Sequence, residues 1–317
     1  MRNLAFGLAL VAALSWGLLP LALRLVVPSM DIGTITWCRF VFAAVCVGLF
    51  LAQRRQLPDP RPLAARLRLL LLVSIVGITL NYTLFALGVR LTSPATAQIV
   101  TQLANLFLLL GGLLVFRERF SGVQWLGVGV LVTGLGLFFN RRLLSLFDGR
   151  TPLGWGVAAL TLGALAWAAY VLAQKRLLRE WSSSQLLWLL YVGGALLLTP
   201  VVHLQELRGL TAVQGYALLF CGCNTLVAYG AYAEAMKLGE VARISATITI
   251  SPLFTLLGGA LTASRWPALA VAEAPGLLAL LGACAVVAGS ALCALGSAAA
   301  RTRPLRGQVR NPAGGVP

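Results

Sequence analysis

Gln98, Thr101, Gln102 and Asn105 stand in an otherwise apolar run, separated by three, one and three residues. At about 100° per residue they share one stripe of a helix. A polar group facing hydrocarbon costs several kcal/mol unless it finds a partner. The stripe must therefore face protein or a water-filled cavity. Other apolar stretches carry similar groups: Asn81 with Tyr82 and Thr83 beside it, Asn224 and Thr225 with Tyr229, and Ser245, Thr247, Thr249 and Ser251. Trp16 and Trp167 sit in the middle of two further stretches. Amides and hydroxyls recognise a ligand by hydrogen bonding, and tryptophans give it an apolar wall. For any one residue the alternative is packing glue between helices, worth ~0.6 kcal/mol per contact. Three bulky amides on one stripe exceed what glue requires, so the stripe points to a cavity.

Titratable groups narrow the chemistry. Nine acids occur in 317 residues, and none falls in the middle of an apolar stretch. A carrier exchanging a cation for protons would be expected to hold a carboxylate there. A neutral, zwitterionic or amphipathic ligand is favoured instead. Glu118 and Glu234 lie at stretch ends, where they are candidates for gating or coupling or pair with Arg117, Arg119 or Lys237. Arg24, Arg39 and Arg90 are placed at stretch ends on the other side, where they snorkel to headgroups or attract a carboxylate. The six cysteines form no CxxC pairs, and His203 is the one histidine, so neither a metal site nor a cofactor is expected. GVGVLVTGLG (residues 127–136) is glycine-rich but has no preceding strand, and no GxxxxGK[ST] occurs. Its small residues suit close helix approach instead.

The elements that must position these groups are apolar blocks. The chain is 59% hydrophobic and 11% charged, against about 25% charged for soluble domains. A crossing takes ~20 apolar residues. Ten blocks qualify, at residues 4–27, 33–51, 68–89, 94–115, 122–139, 153–174, 184–203, 213–236, 241–263 and 274–297. Net charge +16 would suit nucleic acid, but the basic residues are dispersed at block ends, so no nucleic-acid partner is expected. With a cytoplasmic N-terminus, 17 of the 25 basic residues fall on the cytoplasmic side, which selects that orientation and places both termini there.

The blocks repeat. ALGVRLTSPATAQIVTQLANLFLLLGG (residues 86–112) matches residues 233–259 at nine of 27 positions, with an offset of 147. At an offset of 151, Trp16 meets Trp167 and Trp37 meets Trp188; at 155, Gly127 and Gly134 meet Gly282 and Gly289. The units are drawn at residues 1–143 and 144–300, with a basic disordered cytoplasmic tail at 301–317. Five crossings per unit is an odd number, so the second unit must enter the membrane from the opposite side. The fold class expected is an all-α membrane protein of ten transmembrane helices, arranged as two inverted five-helix repeats. Such inverted repeats are a construction principle of secondary transporters.

The Arg39–Phe40 pair, SPATAQ at residues 93–98, RERF at 117–120 and WLGVGVLVTGLG at 125–136 resemble EamA-type domains of the drug/metabolite transporter superfamily. The resemblance covers about residues 4–297. It implies an inner-membrane carrier of small metabolites, amino acids often among them, and no single substrate. The proline the family carries in the fourth and ninth helices is present as Pro252 but is Asn105 in the first half. A hinge is therefore expected at Pro252 and only in the second half.

The function expected is export of small metabolites by alternating access of a cavity between the repeats. The substrate-binding set is Trp16, Asn81, Tyr82, Gln98, Thr101, Gln102, Asn105, Trp167, Asn224, Tyr229 and Thr249. Multidrug or cation efflux and a passive channel are the alternatives. A polytopic membrane enzyme would need a cluster of catalytic groups that the sequence does not offer. The expected partners are a small molecule and the lipid bilayer, with monomer and homodimer both open.

Overall fold

The computed structural model describes residues 2–58, 64–116, 121–140, 151–238, 241–262 and 276–301, and no strand occurs among them. The helices of the first half are α1 (Arg2–Val26), α2 (Ile32–Gln53), α3 (Ala65–Leu91), α4 (Pro94–Thr101), α5 (Leu103–Phe116) and α6 (Gly122–Phe138). Those of the second are α7 (Pro152–Leu177), α8 (Ser183–Leu198), α9 (Ala212–Leu238), α10 (Val241–Ile248), α11 (Ser251–Thr262) and α12 (Leu277–Arg301). Two short 3₁₀ turns, Thr199–Val201 and Leu204–Gly209, join α8 to α9.

Nine segments among the described residues have the length and apolar content to cross a membrane. Two of them contain a break: Pro94–Leu114 takes in α4 and most of α5, and Arg243–Thr262 takes in most of α10 and α11. Helix α6 is apolar but has 17 residues, or about 26 Å at 1.5 Å per residue, close to the ~30 Å hydrocarbon layer. Large apolar side chains such as Leu114, Trp125, Leu196 and Leu277 cover the outside of the bundle. A surface this apolar is stable against lipid and not against water.

Local signals explain where the helices start. Asp31 caps α2 by accepting from the backbone N–H of Gly33 (2.7 Å) and Thr34 (3.3 Å). Ser93 caps α4, and Pro94 follows in the first turn, where a missing N–H costs nothing. Ser121 with Gln124, and Ser182 with Gln185, form reciprocal capping boxes at α6 and α8.

The helices pair across the two halves of the sequence. The most extensive packing is α6 on α12, α3 on α7, α1 on α9 and α2 on α8. By the sequence repeat, α1 corresponds to α7 and α3 to α9. Exchanging the halves turns the α3–α7 pair into the α9–α1 pair and leaves the other two unchanged. At the α6–α12 crossing, Gly127 lies against Gly289 and Cys293, while Gly134 lies against Gly282 and Val286. The order of these contacts makes the two helices antiparallel. A Cβ added at Gly127 would sit 2.8 Å from the backbone nitrogen of Cys293, so only glycine permits this separation.

Two features of the broken helices depart from expectation. The fourth block is not one continuous helix, and a break occurs in both halves. At Gln102 the chain tightens into three-residue hydrogen bonds, with Gln102 N–H donating to the Ile99 carbonyl (3.2 Å) and Asn105 N–H to the Gln102 carbonyl (3.1 Å). In the second half, Ile250 N–H donates to Thr247 (3.3 Å) and Leu253 N–H to Ile250 (2.9 Å), and Pro252 lies in the first turn of α11. Proline is thus unnecessary for the first break. The Thr101 hydroxyl donates to the Ala97 carbonyl at the same turn (2.6 Å).

Candidate substrate cavity

Helix α1 carries Pro20 in its interior. Proline has no N–H, so the carbonyl four residues earlier, that of Trp16, loses its helical partner. Gln98 Nε2 donates to that carbonyl at 2.8 Å. The neighbouring carbonyls are claimed as well: Asn224 Nδ2 donates to Ser15, and the Thr255 hydroxyl donates to Gly17. Three helices thus tie themselves to one turn of α1. Gly17 lets α11 come close, since a Cβ there would stand 2.6 Å from the Ser251 carbonyl.

A second node lies where the two broken helices meet. Gln102 Nε2 donates to the Thr249 carbonyl at 3.1 Å. Gln102 Oε1 accepts from Asn105 Nδ2 (3.1 Å) and from the Ser290 hydroxyl (3.0 Å), and Asn105 Nδ2 also reaches Ser290 Oγ at 3.1 Å. All four residues belong to strongly apolar segments, where a shared network satisfies groups that lipid would leave bare.

Between these nodes lies a partly open cavity of about 210 Å³. Ten of the eleven predicted binding residues line it: Trp16, Asn81, Tyr82, Gln98, Thr101, Gln102, Asn105, Trp167, Tyr229 and Thr249. Asn224 does not. It is buried against α1, where its Oδ1 has no hydrogen-bond partner. Asn81 Nδ2 donates to the Gly163 carbonyl at 3.0 Å. Each of Asn81, Gln98 and Gln102 therefore serves as interhelical glue while also lining the cavity, and the two readings are not exclusive.

The aromatic wall is larger than the sequence reading drew it. Trp16 packs edge-on to Tyr229 with ring centroids 5.3 Å apart, and the tilted Tyr232 ring lies 5.6 Å from it. Phe85 adds a further face, and Ser245 and Ser251 contribute from the second half. Tyr232 sits three residues after Tyr229 on α9, and that spacing was the available signal.

Arg39 is the main correction. It does not sit at a helix end but seven residues into α2, about 10 Å along the axis. It is 2% exposed and lines the cavity. Its guanidinium carbon lies 4.3 Å over the Tyr82 ring, within cation–π range. Arg24 does not snorkel either. Its Nη1 donates to the carbonyls of Val89 and Arg90, both at 3.0 Å, and so ties α1 to the end of α3. Arg90 itself is exposed. Of the two acidic candidates, Glu234 is exposed on α9 away from the cavity, and Glu118 lies outside the described residues. Among the described residues no group of three or more His, Cys, Asp or Glu side chains could hold a metal ion.

A polytopic helical bundle with a cavity lined from both halves is an arrangement that membrane transporters use. The EamA-like transporter family model matches residues 3–140 and again residues 154–295, and the chain belongs to this family. An uncharacterized transporter of Haemophilus influenzae is 36% identical over 293 residues, covering 92% of this chain and 95% of the relative. The uncharacterized inner membrane transporter YhbE of Escherichia coli K12 is 37% identical over 290 residues, covering 91% and 90%. A crystal structure at 21% identity superposes with a TM-score of 0.60 over 95% of this chain and 99% of that one, and so shares the fold. The protein is thus a multi-pass membrane transporter of the EamA family.

Proposed function

We propose that the chain is a secondary transporter which exports a small amphipathic metabolite, amino acids being the first class to test. Ten crossings form two inverted five-helix units, residues 1–143 and 144–300, with both termini cytoplasmic in the inner membrane. The substrate occupies the cavity, held by the polar and aromatic residues that line it. The units rock to expose it to one side and then the other.

One observation carries this reading: a cavity lined from both halves, at the point where two discontinuous helices meet. Binding sites built from broken helices near the interface of repeats are the pattern expected of such carriers. The antiparallel α6–α12 crossing and the exchange-symmetric helix pairing support inverted units. The export direction and the amino-acid class rest on family resemblance.

The test is counterflow in proteoliposomes, following a screen of medium and cell contents with and without expression. Saturable exchange of a metabolite found in the screen is the expected result. Flux that rises linearly without exchange identifies a channel instead, and no differential metabolite under any condition counts against export.

A further inference from the structure

We propose that Arg39 is the charge anchor of the cavity, and that the molecule it holds carries one carboxylate beside an apolar or aromatic body. A guanidinium remains charged at any physiological pH. Burying such a charge without a counter-charge costs several kcal/mol. Arg39 is 2% exposed in the interior of a bundle that lipid surrounds. Its partners meet that cost only in part, through the Tyr82 ring 4.3 Å from the guanidinium carbon. Nη2 donates to the Thr225 hydroxyl at a long 3.4 Å, and Nε is buried with no hydrogen-bond partner.

No carboxylate of the described residues is placed to neutralise it. Asp31 caps α2 and Glu206 accepts from the Asp31 N–H at 2.7 Å, while Glu180 and Glu234 are exposed. The amides of Asn81, Gln98 and Gln102 already donate to backbone carbonyls, while the Tyr82 hydroxyl, which also lines the cavity, has no hydrogen-bond partner. Arg39 is the one cation among the described lining residues, and its planar fork can donate bidentately to an incoming carboxylate. A phosphate dianion would call for a second cation, which the described lining residues do not supply. The aromatic wall of Trp16, Phe85, Tyr229 and Tyr232 suits the rest of the ligand.

This assignment gives the substrate class for the proposed transporter and rests on that reading only for the step of transport. The probes are two isosteric pairs, phenylacetate with phenylacetamide and indole-3-acetate with indole-3-acetamide. They are titrated against the purified full-length chain by thermal shift. Each acid is expected to bind at least about tenfold more tightly than its amide, as loss of a charge-assisted bidentate contact dictates. Arg39→Gln is expected to abolish that preference, and Arg39→Lys to keep it in weakened form. If Arg39→Gln does not elute as a folded species, the ratios for wild type and Arg39→Lys decide the matter.

Equal binding of acid and amide by the wild type, no binding of either acid, or an undiminished preference in Arg39→Gln overturns the assignment. Counterflow of the same probes separates the two readings. Exchange of amides without acids sinks the Arg39 anchor and leaves the transporter. Binding of acids without any exchange sinks transport and leaves the anion site.

Discussion

Gln102 Nε2 donates to the carbonyl of Thr249 at 3.1 Å, and the two residues are 147 positions apart. That separation is the offset of the internal repeat, so each residue occupies the other's place in its own half. The contact joins equivalent positions at the breaks of two equivalent segments, α4–α5 and α10–α11. The carbonyl is free because Ile250 and Leu253 bond three residues back while Pro252 offers no N–H. An amide in the first half thus compensates a defect in the second. The bond links the two halves at their breaks.

Gln102→Ala leaves the Thr249 carbonyl and the Ser290 hydroxyl short of a partner, at a cost of about 1 kcal/mol per lost bond. Asn81→Ala similarly unties α3 from the Gly163 carbonyl. Both variants are expected to express and insert normally but to lose most counterflow. Fluorescence-detected size exclusion reports the first property and proteoliposome exchange the second. Wild-type flux in both would remove these residues from the site.

Pro20→Ala supplies an N–H at position 20 and returns a helical partner to the Trp16 carbonyl. Interior proline costs about 3 kcal/mol, so the variant is expected to melt higher. Gln98 then competes for a carbonyl already bonded, and Gln98→Ala should cost less stability in this background than in wild type. A double-mutant cycle read by thermal unfolding measures the coupling. Zero coupling would mean that Pro20 is not what frees the carbonyl for Gln98.

The four-glycine crossing predicts a contrast along helix α6 and its neighbour. A Cβ at Gly282 would strike the backbone nitrogen of Phe138, and one at Gly289 that of Leu131. Backbone cannot step aside as a side chain can. Gly282→Ala and Gly289→Ala are expected to lower stability by about 1–3 kcal/mol. Gly129 and Gly136 have nothing within 4 Å. Alanine there is expected to be neutral or to gain up to about 1 kcal/mol. Scanning fluorimetry in detergent ranks the four.

Trp16→Ala removes the ring that Tyr229 and Tyr232 pack against and enlarges the cavity. The expected result is a weaker apparent affinity with a smaller change in maximal exchange rate, since the wall holds the ligand rather than moving the halves. An initial-rate series over substrate concentration separates the two parameters. A fall in maximal rate alone would place Trp16 in the motion instead.

The sequence by itself determined the membrane class, because an apolar block of ~20 residues has few other fates. It also determined the repeat, since matching words at a constant offset need no coordinates to be seen. The stripe of Gln98, Thr101, Gln102 and Asn105 was legible for the same reason: helical periodicity decides which residues share a face. Only the tertiary structure decided what those residues meet. The Gln98 amide finds its acceptor 82 positions away, on a carbonyl freed by a proline in another helix. The Asn224 amide finds one 209 positions away and stays out of the cavity. The break at Gln102 has no proline to announce it, and the bonds of its side chain to Thr249 and Ser290 close only across the fold. Arg39 is the sharpest case. Near the start of an apolar block an arginine normally reaches water along its own stem. Burial depends on what packs above that stem, here α9 and the Tyr82 ring of α3, and no local pattern in α2 encodes those neighbours.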